Sequence, residues 1–220
     1  MLNPQIFTFL DELSQNNTRE WFAANKERYD RLKKEFDGFA TQLIALTGRI
    51  DKEISYLEPK NCTYRIYRDT RFSHDKTPYK NNMGVFMVKG GKSSGNAGYY
   101  LHVENNGCFL AGGVYMPMPD VLKKIRKEIY DNIDEFVEIV ESKTFKSHFK
   151  ELDAEQKLKN PPKDFPKDFE YIDFLKYKSF TVSKPISEKL LLSSDFFTEA
   201  ETVFSALAPF NQFMNNAIKN

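Results

Sequence analysis

Residues 99–115, YYLHVENNGCFLAGGVY, decide the fold. Tyr99–Glu104 and Cys108–Tyr115 carry the aromatic and β-branched content of strands, and Asn105-Asn106-Gly107 between them tolerates the backbone of a tight hairpin. Working outward, Gly84–Lys89 and Thr63–Arg68 have the same strand composition. The Lys, Gly and Ser of residues 89–98 are expected to form the mobile tip of another hairpin. Four consecutive strands joined by short polar links predict an antiparallel meander, and Phe180–Pro185 is a candidate for one more strand.

Helical periodicity flanks this block. Pro4 followed by Ile6, Phe7, Phe9, Leu10 and Leu13 predicts a short amphipathic helix that stops in the polar run Ser14–Asn17. A longer helix follows, with Asn17 and Glu20 at capping-box spacing and an apolar stripe through Phe22, Tyr29, Leu32, Phe36, Phe39, Leu43, Leu46 and Ile50. Asn25 falls on that stripe, so its amide must find partners inside the protein. After Pro119 the buried face is Val121, Leu122, Ile125 and Ile129, then Ile133, Phe136, Val137 and Val140. Residues 150–168 hold Pro161, Pro162 and Pro166 among many charges and should wrap the surface with little regular structure. Asp195 is positioned to cap a last helix running through Phe210. The expected class is α+β: an antiparallel meander covered by helices, in one domain over residues 1–220.

Composition agrees with a globular chain. Twenty Phe and eleven Tyr supply a core, and 29% charged residues supply a polar exterior. No run of about 18 apolar residues offers a membrane span, and residues 1–17 have no leader pattern, so a cytoplasmic location is the expectation. In that reducing compartment Cys62 and Cys108 should be free, half-buried thiols.

The net charge is only +1, yet residues 60–92 contain eight Lys or Arg against two Asp. Positive charge is therefore concentrated in one segment. If the strand ends near Arg68, then Arg71, Lys76 and Lys80 can fold back beside Arg65 and Arg68 to make a cup for an oxyanion. Ser73, Asp75 and Thr77-Pro78 are the turn formers that permit it. The plainer reading is that these cations pair with Asp69, Asp75 or distant acids and tie a loop down. Asn25 and Tyr79 are candidates to orient a ligand, and Lys178 could bring a further charge. Asp69 and His74 are the candidate general bases. His74, Asp75 and His102 lack metal-ligand spacing, and the chain has no GxSxG elbow, phosphate-binding glycine loop or CxxC pair, so no metal or cofactor is expected. Gly112-Gly113 reads as a bulge or a close backbone contact.

Arg19-Glu20-Trp21-Phe22 with Asn25-Lys26, Arg65-Ile66 and Arg68-Asp69 leading into RFSHDKTPYK, Gly98-Tyr99-Tyr100, Gly112-Gly113-Val114-Tyr115 with Pro117, Ile125-Arg126 and Lys176-Tyr177-Lys178-Ser179-Phe180 stand in order along nearly the whole chain. This pattern resembles the uncharacterised family DUF2461. The resemblance implies a single α+β domain of mostly bacterial origin with no established activity. The family usually has Lys where this chain has His74 and Arg where it has Lys176, the second change replacing a bidentate donor by a monodentate one. The family's motif positions coincide here with Asn25, Arg65, Arg68, Asp69, Arg71, Lys76 and Lys80.

The leading expectation is a pocket for a phosphate-bearing or other anionic small molecule. The alternatives are a hydrolase or transferase acting on a phosphorylated substrate, a nucleic-acid binder, which the near-neutral total charge argues against, and an ion-pair network with no ligand.

Overall fold

The computed structural model describes residues 1–154 and 157–219. Helices α1 (Gln5–Gln15), α2 (Arg19–Ala24), α3 (Lys26–Ile50) and α4 (Pro59–Cys62) precede strands β1 (Met83–Val88), β2 (Gly98–Val103) and β3 (Phe109–Val114). Helices α5 (Pro119–Asp131), α6 (Ile133–Glu141) and α7 (Lys143–Lys146) lead to β4 (Phe180–Pro185), and α8 (Glu188–Leu191) and α9 (Phe196–Lys219) follow. The class is α+β, with an open antiparallel sheet in the order β1-β2-β3-β4.

The hairpin forms where the Asn-Asn-Gly run places it. Asn106 takes φ 57° and the Gly107 amide donates to Glu104 O at 3.1 Å. Alternation then sorts the sheet into two faces. Val85, Met87, Tyr99, Leu101, Val103, Leu110 and Val182 are buried on one of them, where α9 and α3 supply Phe204, Leu207 and Thr47. Asn211 and Asn215 of α9 fasten that helix to the start of β2. Their amides donate to Gly98 O at 3.0 Å and Ala97 O at 3.2 Å, and the Ala97 amide donates back to Asn215 Oδ1 at 2.8 Å. The opposite face carries Phe86, Tyr100, His102, Phe109, Ala111, Thr181 and Ser183, and no helix packs across it among the described residues.

Several expectations are corrected. Thr63–Arg68 is not a strand. After the single turn of α4 it makes only isolated bridges, Thr63 with Val85 and Tyr67 with Tyr79. Its amides and carbonyls pair with the returning loop instead, Arg68 N to Pro78 O at 2.9 Å and Lys80 N to Ile66 O at 2.8 Å. The fourth strand is β4, reached by a long helical excursion, so only β1–β3 form a continuous meander. The long N-terminal helix is broken at Asn25, which has φ −108° and ends α2. Thr18 caps α2 by accepting from Trp21 N at 3.2 Å, and Asn17, expected in that role, reaches elsewhere. The last helix continues past Phe210 to Lys219. Pro209 lies on its exposed side, while Phe210, Phe213, Met214 and Ala217 bury the turns beyond it.

Cys62 and Cys108 are free and buried, and burial pushes the Cys62 thiol up to about 11. Residues 155 and 156, inside the segment expected to wrap the surface, lie outside the described residues. Around them that stretch has turns and a bridge from Lys157 to Tyr177. No helix among the described residues is long and apolar enough to cross a membrane.

Candidate functional site

The basic segment closes on itself. Arg68 donates through Nη1 to Asp75 and to Thr77 Oγ1, and Asp75 also accepts from Thr77 N at 2.9 Å. Arg71 grips Asp69 with Nε at 2.9 Å and Nη2 at 2.6 Å. These contacts hold both carboxyls at about 2, below the usual carboxylate range: Asp69 chiefly through the Arg71 side chain, Asp75 chiefly through the Thr77 amide and then Arg68. Lys76 Nζ donates to Thr70 O at 2.8 Å. Arg65 is exposed, and its guanidinium makes no hydrogen bond among the described residues. Of the five cations of the expected cup, Arg68 and Arg71 are thus engaged by their own aspartates and Lys76 by a backbone carbonyl, while Arg65 is a neighbour of both Asp69 and Lys80. A guanidinium next to an aspartate two to seven residues away finds that partner before any distant one, which is the plainer reading for Arg68 and Arg71.

The Asn25 amide donates to Trp21 O at 3.0 Å and serves the break between α2 and α3. Tyr79 is turned into the core, with its ring stacked on Phe22 at 4.1 Å. Its backbone is clasped by Asn17, which donates to Tyr79 O at 2.9 Å and accepts from Tyr79 N at 3.0 Å. His74 and Lys178 are exposed, and neither lines the groove over the sheet face. Among the described residues no three His, Cys, Asp or Glu side chains group as metal ligands would.

Lys80 also lines an open groove of about 780 Å³ over the uncovered face of the sheet. The floor of the groove is aromatic. Phe86 meets Tyr100 edge-on at 6.3 Å, Tyr100 lies 5.8 Å from Phe109, and Phe109 stacks on His102 at 4.6 Å and 10°. Two ammonium groups stand at one wall. Lys80 Nζ lies 5.1 Å and Lys92 Nζ 6.0 Å from the Tyr64 ring, while their backbone partners are Arg65 O at 3.1 Å and Lys60 O at 2.8 Å. Each ammonium keeps donors to spare. Burial, and then the neighbouring Arg65, lower the pKa of Lys80.

The other wall is formed by Tyr115, Met116, Pro117 and Met118, whose first two and last side chains are exposed, and by Asp153, which accepts from Ser183 Oγ at 2.9 Å. Ser179, from the Lys176–Phe180 motif, lines the groove and accepts from Met116 N at 2.9 Å.

A chain of polar contacts begins at Tyr100 and His102 of β2, which line the groove, and continues to Glu104 just past the strand. Tyr100 Oη lies 2.8 Å from His102 Nδ1, and His102 Nε2 lies 3.0 Å from Glu104 Oε2. Asn81 donates to the other Glu104 oxygen at 2.8 Å. Reading by residue type alone missed Lys92, Tyr100 and Glu104 and weighed His102 only as a metal ligand. For Tyr100, His102 and Glu104 the signal was the two-residue step 100, 102, 104 along β2 and the residue just past it, which puts these three on one face.

No curated protein and no solved structure matches the chain. The family model described as "Conserved hypothetical protein (DUF2461)" matches residues 5–213, within which lie the clasped basic loop, the aromatic floor and the Lys176–Phe180 segment. The chain belongs to DUF2461.

Proposed function

We propose that the groove binds a small molecule carrying a phosphate or carboxylate on a flat apolar body. The observation that carries this reading is the pairing of an aromatic floor, Phe86, Tyr100 and Phe109, with the Lys80 and Lys92 ammonium groups about Tyr64 in one open hollow. Its volume of about 780 Å³ suits a metabolite-sized ligand. The anion sits at the lysines and the apolar body covers the floor. This keeps the anionic ligand and moves its site from the arginines of the loop to the sheet face. The free cysteines accord with work in a reducing compartment.

The test is thermal unfolding with phenyl phosphate, benzoate and, as a neutral control, phenol. Occupancy at 100 times Kd stabilises a protein by about 2.7 kcal/mol, roughly 5–10 °C for a chain of this size. The expected result is a rise in Tm with the two anions only, lost in the Lys80→Ala/Lys92→Ala double variant and retained in Arg71→Ala. Equal response to phenol, or loss in Arg71→Ala with retention in the double variant, would refute the groove.

A further inference from the structure

We propose that Tyr100 is the reacting group of this groove, a nucleophile whose phenol proton is taken by His102, with Glu104 as the positioning residue that holds the imidazole for that transfer. The inference rests on the ligand reading above and adds a reaction to it. The substrate class is an ester or anhydride of an anionic, flat-bodied compound.

The donor directions follow from the contacts. An ionised carboxylate can only accept, so Glu104 requires the proton of a neutral His102 to be on Nε2, 3.0 Å away. Nδ1 is then the lone-pair nitrogen, and the hydrogen bond at 2.8 Å must run from the Tyr100 hydroxyl to it. Nucleophile, base and orienting acid thus stand in line, the arrangement that activates a weak nucleophile. Asn81 fixes the far oxygen of Glu104, and the Phe109 ring stacked on His102 fixes the imidazole plane.

Room for the phenol has been left on the neighbouring strand. A Cβ at Gly84 would lie 2.6 Å from Tyr100 Oη, so any larger residue there would displace the hydroxyl. Burial raises the Tyr100 pKa, with Tyr64 and Glu104 adding to it, so the phenol stays protonated until a base in contact removes the proton during attack.

In the step, a bond forms from Tyr100 Oη to the acyl carbon or phosphorus and the bond to the leaving group breaks, the electron pair departing with that group. The phenol proton passes to His102 Nδ1, and the imidazolium, paired with Glu104, returns it to the leaving group. Water then attacks the Tyr100 ester. His102 takes one water proton and delivers it to the phenolate oxygen, which restores the phenol and releases the acid.

Aryl sulfonyl fluorides test this without a known substrate, because the same transfer forms an S–O bond to tyrosine and expels fluoride. Benzenesulfonyl fluoride and 4-carboxybenzenesulfonyl fluoride are each incubated with the full chain, and labelled peptides are mapped by mass spectrometry. Tyr56 and Tyr67, which are more exposed and do not line the groove, serve as internal references. Tyr100 is expected to label at least tenfold faster than these, and His102→Gln to remove that advantage. Glu104→Gln is expected to slow labelling and to shift the His102 ring ¹⁵N resonances from a single Nε2–H tautomer to a mixture, and it substitutes should His102→Gln fold poorly. Labelling of Tyr100 no faster than the references with either reagent overturns the activated phenol, whether or not anions bind. Fast, His102-dependent labelling without preference for the carboxylated reagent, unchanged in Lys80→Ala/Lys92→Ala, upholds the activated phenol and overturns the anionic substrate class.

Discussion

Gly113→Ala should be the most damaging single methyl in this protein, although it adds one carbon to a strand. Gly113 has φ +110°, which a Cβ disfavours by roughly 1–2 kcal/mol. The added Cβ would lie 2.0 Å from Phe180 O, a backbone atom of the adjoining strand that cannot rotate away. Relief requires β3 and β4 to part by about 1 Å beside the pairs Gly113–Thr181 and Val114–Phe180. Two weakened ladder bonds at about 1 kcal/mol each bring the total to about 3–4 kcal/mol. Urea unfolding followed by circular dichroism should show that loss with an unchanged slope, and a Tm lower by roughly 6–16 °C. Gly38→Ala provides the opposite sign. It sits exposed in the middle of α3 with no atom within 4 Å of the built Cβ, so the same substitution should stabilise by roughly 0.5–1 kcal/mol. A Gly113→Ala loss below about 1 kcal/mol would refute the close approach of β3 and β4 on which this estimate depends.

Two further outcomes concern the clasped loop. Asn17→Ala removes both bonds to the Tyr79 backbone in a half-buried site and should cost about 2–3 kcal/mol in urea unfolding, with faster hydrogen exchange at the Tyr79 amide. A loss under about 0.5 kcal/mol with unchanged exchange would show that the loop is held otherwise. The Asp69 and Asp75 carboxyls, held down to about 2, favour the folded loop above their unfolded value of about 3.9, and that contribution fades as pH falls from there toward 2. Side-chain ¹³C carboxyl shifts should titrate near pH 2 for both, and titration of either at its unfolded value would break the pairing argument.

The helices were legible because period and burial coincide. Ile6, Phe7, Phe9, Leu10 and Leu13 are all buried in α1, and Leu32, Phe36, Phe39 and Leu43 continue the same logic in α3. Neighbouring residues of similar chemistry were harder. Asn17 and Thr18 can both cap, and the choice was made by Tyr79, 62 residues away, whose backbone only Asn17 reaches. Thr63–Arg68 has strand composition but pairs with the return of its own loop, and the place in the sheet went to Phe180–Pro185.

The charge of residues 60–92 was fully visible, and its destination was not. Coulomb attraction is satisfied by the nearest opposite charge, so Asp69 and Asp75 engage Arg71 and Arg68, and only Lys80 and Lys92 are left at the groove. The step Tyr100, His102, Glu104 could be read as one face of a strand. Which face is covered could not be read, because both carry large apolar residues: Phe86, Tyr100 and Phe109 on one, Val85, Leu101 and Leu110 on the other.

Local pattern alone therefore determined the α+β class, the β2–β3 hairpin and the amphipathic helices, since each depends on residues a few positions apart. Tertiary packing decided the identity of the fourth strand, the partners of the loop cations and the exposure of the Tyr100 face. Those outcomes turn on where α3 and α9 come to rest, a competition between two apolar faces that no short stretch of chain encodes.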